Sequence, residues 1–153
     1  MVRRAISPLL AAVAMLVGAA GPVTAQGAPP TLPSLPVVED GSVWKVDYIR
    51  SRNRKQRACL QFYGANWRVN RAEAKRTGLV LSYMIWTAEP VGPDDWDIML
   101  ATEYRNYAAL DGLEEKFRPI LAARTRVVVP DLDLATDCVI IGSRTTRQVE
   151  FGK

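Results

Sequence analysis

Two neighbouring strand-like segments limit the folds that this chain can adopt. They lie at residues 79–87 and 96–104, and a turn rich in proline, glycine and aspartate joins them. Apolar residues occupy both alternating faces of the first segment and most of both faces of the second. A strand that is apolar on both faces is usually covered on both faces. The two segments therefore predict central strands of a sheet.

The segments around this pair predict two helices and two further strands. In order, the predicted elements are a strand at 43–50, a helix at 54–77, the two central strands, a helix at 107–122 and a last strand at 145–151. Val127 to Val129 is ambiguous, because it resembles a strand but is short and is followed by Pro130. A short helical turn with Asp131 or Asp133 as its cap is expected to run through residues 138–141 and to end at Gly142, before the last strand. The order strand, helix, strand, strand, helix, strand is that of the ferredoxin-like fold. We therefore expect an α+β domain at residues 43–153 with an antiparallel four-stranded sheet.

One layer of helices from so short a chain covers one side of a sheet. The other side is then expected to meet a second copy of the chain, which predicts a homodimer.

The first predicted helix carries an apolar stripe that should pack on the sheet. Cys59, Phe62, Tyr63 and Trp67 fall at the spacing of one helix face, whereas Arg71 and the other basic residues are assigned to the remaining faces. Ser51 or Asn53 is the expected N-cap, and Gly78 is the expected stop.

The first 42 residues are expected to lie outside the folded domain. Residues 1–25 have the basic start, apolar middle and small-residue end of a cleaved signal peptide. An uncleaved membrane anchor is the alternative interpretation. Residues 26–42 contain four prolines and few large apolar groups, as in an extended linker. We therefore expect a periplasmic or secreted protein that is not held in the membrane after cleavage.

Charge and composition narrow the classes of function. Removing residues 1–25 takes away two arginines and no acidic residue, so the formal charge of +4 becomes +2. That excess is too small to indicate a nucleic-acid partner. The chain has no histidine, which excludes serine–histidine triads, histidine zinc sites and a histidine-ligated haem. We expect neither a metal site nor a cofactor.

The two cysteines, Cys59 and Cys138, have two interpretations. An oxidising compartment permits a disulfide between them. Two buried thiols that pack as small apolar side chains are the alternative.

The candidate ligand-binding residues are mainly aromatic: Tyr48, Tyr63, Trp67, Trp86 and, in addition, Glu103. Such side chains favour a pocket for a flat apolar molecule, oriented by indole N–H and phenol groups. The alternative is a well-filled core and subunit interface without a ligand. Glu103 is either an acid with a perturbed pKa or a partner of Arg50 or Arg105 in a salt bridge.

Three segments carry a resemblance to a known superfamily: YGANW at 63–67, GLVLSYMIW at 78–86 and DDWDIMLATEYRNYAALDGLEEK at 94–116. They resemble the dimeric α+β barrels related to the EthD and NIPSNAP-type groups, over residues 43–116. The resemblance implies a homodimer with a pocket between sheet and helices in each subunit. Some relatives are cofactor-free monooxygenases and others handle haem, but the haem branches generally use a histidine that this chain lacks. No catalytic residue can be transferred.

Three functional hypotheses follow. The first is a module that binds a small apolar or aromatic molecule between the sheet and the helices. The second is a cofactor-independent monooxygenase or isomerase, in which Tyr63, Trp67 and Glu103 orient the substrate. The third is a structural dimer without a ligand.

Overall fold

The structure is a computed structural model that describes residues 35–152. The predicted signal peptide and residues 26–34 of the predicted linker lie outside this range. Within it, the elements are β1 (Val38–Ser51), α1 (Gln56–Ala65), α2 (Trp67–Arg76), β2 (Ser82–Thr87), β3 (Ile98–Tyr104), a 3-10 turn (Tyr107–Leu110), α3 (Leu113–Ala122), α4 (Leu134–Asp137) and β4 (Cys138–Phe151).

The strands form one four-stranded sheet in the order β2-β3-β1-β4. Every neighbouring pair is antiparallel. The chain is thus an α+β fold with an antiparallel sheet and helices, which is compatible with the predicted ferredoxin-like arrangement.

Strand alternation gives the sheet two faces with different neighbours. We call the face that carries Ile49, Ile98, Leu100 and Tyr104 the inner face, because these side chains are buried in clusters with helical residues. The register places the opposite residues of the same strands on the outer face. The outer face carries Trp44, Val46, Tyr48, Met84, Trp86, Met99, Ala101 and Glu103.

Two apolar clusters hold the helices on the inner face. In the first, Cys59 and Tyr63 of α1 pack with Ile49, Ile98 and Leu100. The predicted stripe of the first helix therefore does face the sheet.

In the second cluster, Ala74 of α2 packs with Val80, Tyr104, Phe117 and Ile120. Phe117 and Ile120 belong to α3, so this cluster joins α2 and α3 over the end of β3.

A disulfide joins Cys59 of α1 to Cys138 at the start of β4, with their Cα atoms 5.8 Å apart. Both residues are buried, at 0% and 3% exposure. Because 79 positions separate them in sequence, the bridge ties the first helix directly to the last strand.

The first predicted helix is in fact two helices that meet at Asn66. This residue is the C-cap of α1 and the N-cap of α2, with φ −111° and ψ −66°. Its side-chain amide donates to the Phe62 and Val127 carbonyls at 3.0 and 2.9 Å. Its side-chain oxygen accepts from the Val127 N–H at 2.8 Å. Asn66 therefore also fixes the segment that follows α3.

The second predicted helix is also divided. Asn106 caps its beginning as predicted, since its side chain accepts from the Ala109 N–H. The turn that follows is 3-10, and Gly112 then takes a positive φ of 60° before α3 begins at Leu113. Glycine adopts that conformation at little cost, which explains the break.

The outermost strand pairing is longer than predicted. β1 begins at Val38, ahead of the predicted domain start at Val43, and pairs there with the end of β4 through Val38 and Phe151. β4 begins at Cys138, directly after α4, although residues 138–141 had been assigned to the helical turn. The predicted Asp133 cap is present, because its carboxylate accepts from the Ala135 N–H.

Asp137, the last residue of α4, should make the protein sensitive to acid. Its carboxylate accepts from the Asn53 side chain at 2.7 Å and from the Asp133 N–H at 3.1 Å. These bonds hold the pKa of Asp137 below its ordinary value of 3.8. Because the folded-state pKa is the lower one, the contribution to stability is present above about pH 4 and is lost as the pH falls through the folded-state pKa.

Asp137→Asn is therefore expected to lower stability at pH 7, and its deficit relative to the native protein should shrink below pH 4. Urea unfolding at pH 7, 5 and 3 measures this change. Asp94→Asn is the control, because the exposed Asp94 side chain makes no hydrogen bond within residues 35–152. A deficit for Asp137→Asn that is constant with pH would contradict the prediction.

Candidate functional site

A cleft of about 600 Å³ lies where α1, α2 and α3 cross the inner face. Its size is in the range of small-molecule sites. The lining is aromatic and aliphatic with a few polar groups: Lys45, Phe62, Tyr63, Asn66, Trp67, Asn70, Arg71, Leu113, Glu114, Phe117 and Leu121.

Arg71 is the half-buried cation of this cleft. Its guanidinium carbon lies 4.3 Å from the ring centre of Phe117 and 5.2 Å from that of Trp67. Both rings therefore make cation–π contacts with the same charge. Trp67 is in turn held edge-on by Tyr83 of β2, with the ring centres 6.1 Å apart. The arginine is thus fixed between α2, α3 and the sheet.

The protein satisfies only part of the hydrogen-bonding capacity of Arg71. Its Nε donates to the Thr102 hydroxyl at 3.0 Å. Within residues 35–152 its terminal nitrogens make neither a hydrogen bond nor an ion pair. In the same part of the chain no fully buried side-chain nitrogen lacks a partner. The terminal nitrogens of Arg71 are therefore not fully buried, and Arg71 is a lining residue of the cleft.

Burial sets the electrostatics of the groups around Arg71. Desolvation lowers the pKa of Arg71, while the nearby Tyr104 and Asp47 act in the opposite direction. Desolvation likewise raises the pKa of Tyr63 and of Tyr104. An arginine starts so far above neutrality that it stays charged, and both phenols stay neutral at pH 7. Tyr63 lines the cleft, which therefore offers a cation and a neutral hydroxyl group.

A smaller basic hollow of about 280 Å³ adjoins the cleft. The two share Phe62, Asn66, Asn70 and Leu121 as lining residues. The hollow adds Arg124 and Arg126, and the guanidinium of Arg126 lies 5.0 Å from the ring centre of Phe62. Positive charge thus surrounds one end of the cleft.

The predicted ligand-binding residues lie on two different faces of the sheet. Tyr63 and Trp67 line the cleft together. Tyr48, Trp86 and Glu103 lie on the outer face, since they pair in register with outer-face neighbours on β3 and β2. The structure therefore does not bring the five residues into one site.

Two of the predicted ligand-binding residues on the outer face, Tyr48 and Glu103, contact other side chains of the protein. Tyr48 packs against Trp96 with the ring centres 5.6 Å apart. Glu103 accepts a hydrogen bond of 2.6 Å from the Ser42 hydroxyl. It forms no salt bridge with Arg50 or Arg105 within residues 35–152.

Sequence reasoning missed Arg71, Phe117 and Lys45 as lining residues of the cleft. Helical spacing alone carried a signal for Arg71, since it follows Trp67 by one turn and Tyr63 by two. Assigning Arg71 to another face of the helix was wrong, because the aromatic stripe continues through it.

Residues 35–152 show neither a metal-binding cluster nor a membrane-spanning helix. Residues 35–152 contain no group of three or more cysteine, aspartate or glutamate side chains placed to hold a metal ion. None of the helices in that range has the length and apolar character needed to cross a membrane.

Comparison of the sequence with the families of known proteins and with curated proteins finds no match.

Proposed function

We propose that this protein is an exported, homodimeric binding module that holds a small aromatic or apolar molecule in the cleft on the inner face. The supporting observation is the cleft itself, in which Phe62, Tyr63, Trp67 and Phe117 surround a volume suited to a small ligand. Such rings bind flat molecules through large contact areas. A disulfide between Cys59 and Cys138 supports a periplasmic or secreted location, since such bridges persist in oxidising compartments.

The outer face supports the homodimer. Within residues 35–152 the helices pack on the inner face, while the outer face presents apolar side chains from three strands, with Trp86 43% exposed. A twofold-symmetric dimer uses the same patch of both subunits, and an apolar sheet face is suited to that kind of contact. The strand order β2-β3-β1-β4 supports the ferredoxin-like arrangement, in which two sheets would join through their outer faces.

The ionisable groups favour binding over the alternative of a monooxygenase or isomerase. General acid–base catalysis works best with a group whose pKa lies near the working pH. Burial moves the pKa values of Tyr63 and Tyr104 upward, away from neutrality. The Tyr63 hydroxyl, which lines the cleft, is therefore better suited to orient a ligand than to remove a proton from it.

Trp67→Ala tests the site. N-phenyl-1-naphthylamine, a neutral aromatic probe whose fluorescence rises in apolar surroundings, is expected to bind the native protein saturably. Losing the indole should weaken binding about 5- to 30-fold, which corresponds to the roughly 1 to 2 kcal/mol expected for a lost aromatic contact. Fluorescence titration at constant protein concentration measures the dissociation constant.

Trp86→Ala is the matched control, because it removes the same side chain from the outer face. We expect it to change the dissociation constant by less than about twofold. Circular dichroism checks that both variants are folded. An absence of saturable binding, or equal weakening by both substitutions, would contradict the proposed site.

A further inference from the structure

The guanidinium of Arg71 has a restricted set of directions in which it can meet a ligand. The rings of Phe117 and Trp67 lie within 4.3 and 5.2 Å of its central carbon, so they occupy space beside the group. Its Nε is bonded to the Thr102 hydroxyl. What remains are the terminal N–H groups, which point within the guanidinium plane. A fork of this kind matches the two oxygens of a carboxylate.

Among residues 35–152 the same charge has no counterion at ion-pair distance. Asp47 is the acidic group that acts on Arg71 from the sheet, but its carboxylate accepts from the Ser143 hydroxyl at 2.5 Å. No ion pair joins Asp47 to Arg71. A half-buried charge without a counterion loses hydration and gains little in return. A ligand carboxylate would supply the missing partner.

The other charged residues that line the cleft do not remove its preference for an anionic ligand. Lys45 is an exposed lining residue that adds a second positive charge. Glu114 is the acidic lining residue and is also exposed, so water screens it. Beyond Leu121, the adjoining hollow brings Arg124 and Arg126. The half-buried Arg71 is therefore the anchoring charge.

We propose that the ligand of the cleft is a small aromatic or apolar carboxylate, whose carboxyl group meets the terminal N–H groups of Arg71 while its ring system lies along Phe62, Tyr63 and Leu121. This inference rests on the proposed function and names the chemical class of its ligand. Charge-assisted hydrogen bonds from a fixed fork are the source of selectivity over a neutral molecule of the same outline.

A matched pair of probes tests the proposal. 2-Naphthoate is ionised at pH 7, and 2-naphthamide has nearly the same outline without the charge. Calorimetric titration of the native protein is expected to give about 10- to 100-fold tighter binding of 2-naphthoate, the range typical of hydrogen bonds to a charged group. Arg71→Gln should remove this preference while leaving the affinity for 2-naphthamide within about threefold.

Three further variants separate the fork from general electrostatics. Arg71→Lys keeps the charge but loses the fork, so it should retain only part of the preference. Arg68→Gln removes an exposed arginine from the same helix and should leave the preference unchanged. Lys45→Gln removes an exposed charge from the lining and should reduce the preference less than Arg71→Gln does.

The outcomes distinguish the two proposals. Equal affinity of the native protein for both probes, or a preference that survives Arg71→Gln, overturns the carboxylate inference while the binding function stands. Binding of neither probe at millimolar concentration overturns the carboxylate inference, and the binding function falls with it if N-phenyl-1-naphthylamine also fails to bind. If Arg71→Gln fails to fold, the comparison of the two probes on the native protein still tests the preference for a carboxylate, and Arg71→Lys tests the fork.

Discussion

Reduction of the bridge between Cys59 and Cys138 is expected to lower the free energy of unfolding by about 4 to 5 kcal/mol, the value that the chain-entropy relation gives for a loop of this length. The loop is long because 79 positions separate the two cysteines. An open chain gains conformational freedom in the unfolded state, whereas α1 and β4 keep their contacts in the folded state. Urea unfolding with and without a phosphine reductant measures the difference.

The Cys59→Ala/Cys138→Ala variant is the control for this experiment. It should unfold near the midpoint of the reduced protein, and the reductant should not change its midpoint. If the two cysteines were thiols that only pack in the core, the reductant would leave the native protein unchanged as well. That result would contradict the bridge and restore the alternative interpretation of the sequence.

Local patterns predicted the central part of the fold. The turn between 87 and 96, with apolar residues on both faces of the segments that flank it, predicted β2 and β3 to within a few residues. Asn106 and Asp133 were predicted as caps and act as caps. In these places the chemistry of a few neighbouring residues decides the structure, because a cap or a turn is complete within one or two helical turns.

Long-range pairing decided the features that sequence reasoning missed. β1 begins at Val38 because the end of β4 lies beside it, with Asp40 and Arg147 in an ion pair at 2.5 Å. The break at Asn66 is fixed by its bonds to Val127, which lies far away in sequence. Neither partner can be identified from the residues around Asn66 or Val38.

Of the five predicted ligand-binding residues, two line the cleft, Tyr63 and Trp67. Long-range packing again explains why the other three do not. Tyr63 and Trp67 were assigned correctly to the helix face that meets the sheet. Tyr48 and Trp86 carry the same aromatic chemistry, but alternation alone does not say which face of a strand the helices cover. Helical spacing was used to assign Arg71 to another face, although two aromatic rings and the Thr102 hydroxyl accommodate it within the cleft.

Met99→Lys should convert the proposed dimer into a monomer, since it places a charge in the middle of the outer face. Met99 belongs to the central strand β3 and lies between Tyr48 of β1 and Trp86 of β2. Within one subunit a lysine there can reach water, so the fold should tolerate it. In an interface the same charge is buried without a partner, at a cost of roughly 3 to 5 kcal/mol, or about 150- to 5,000-fold in the dissociation constant.

Sedimentation velocity across micromolar concentrations measures this change in assembly. Ala72→Lys is the matched control, because it adds the same charge at an exposed position of α2 and should leave the dimer intact. A native protein that sediments as a monomer, or a Met99→Lys variant that remains dimeric, would contradict the outer-face interface. Because the cleft opens on the opposite face, a folded Met99→Lys monomer should still bind the aromatic probe. Retained binding in that monomer would show that each subunit carries a complete site.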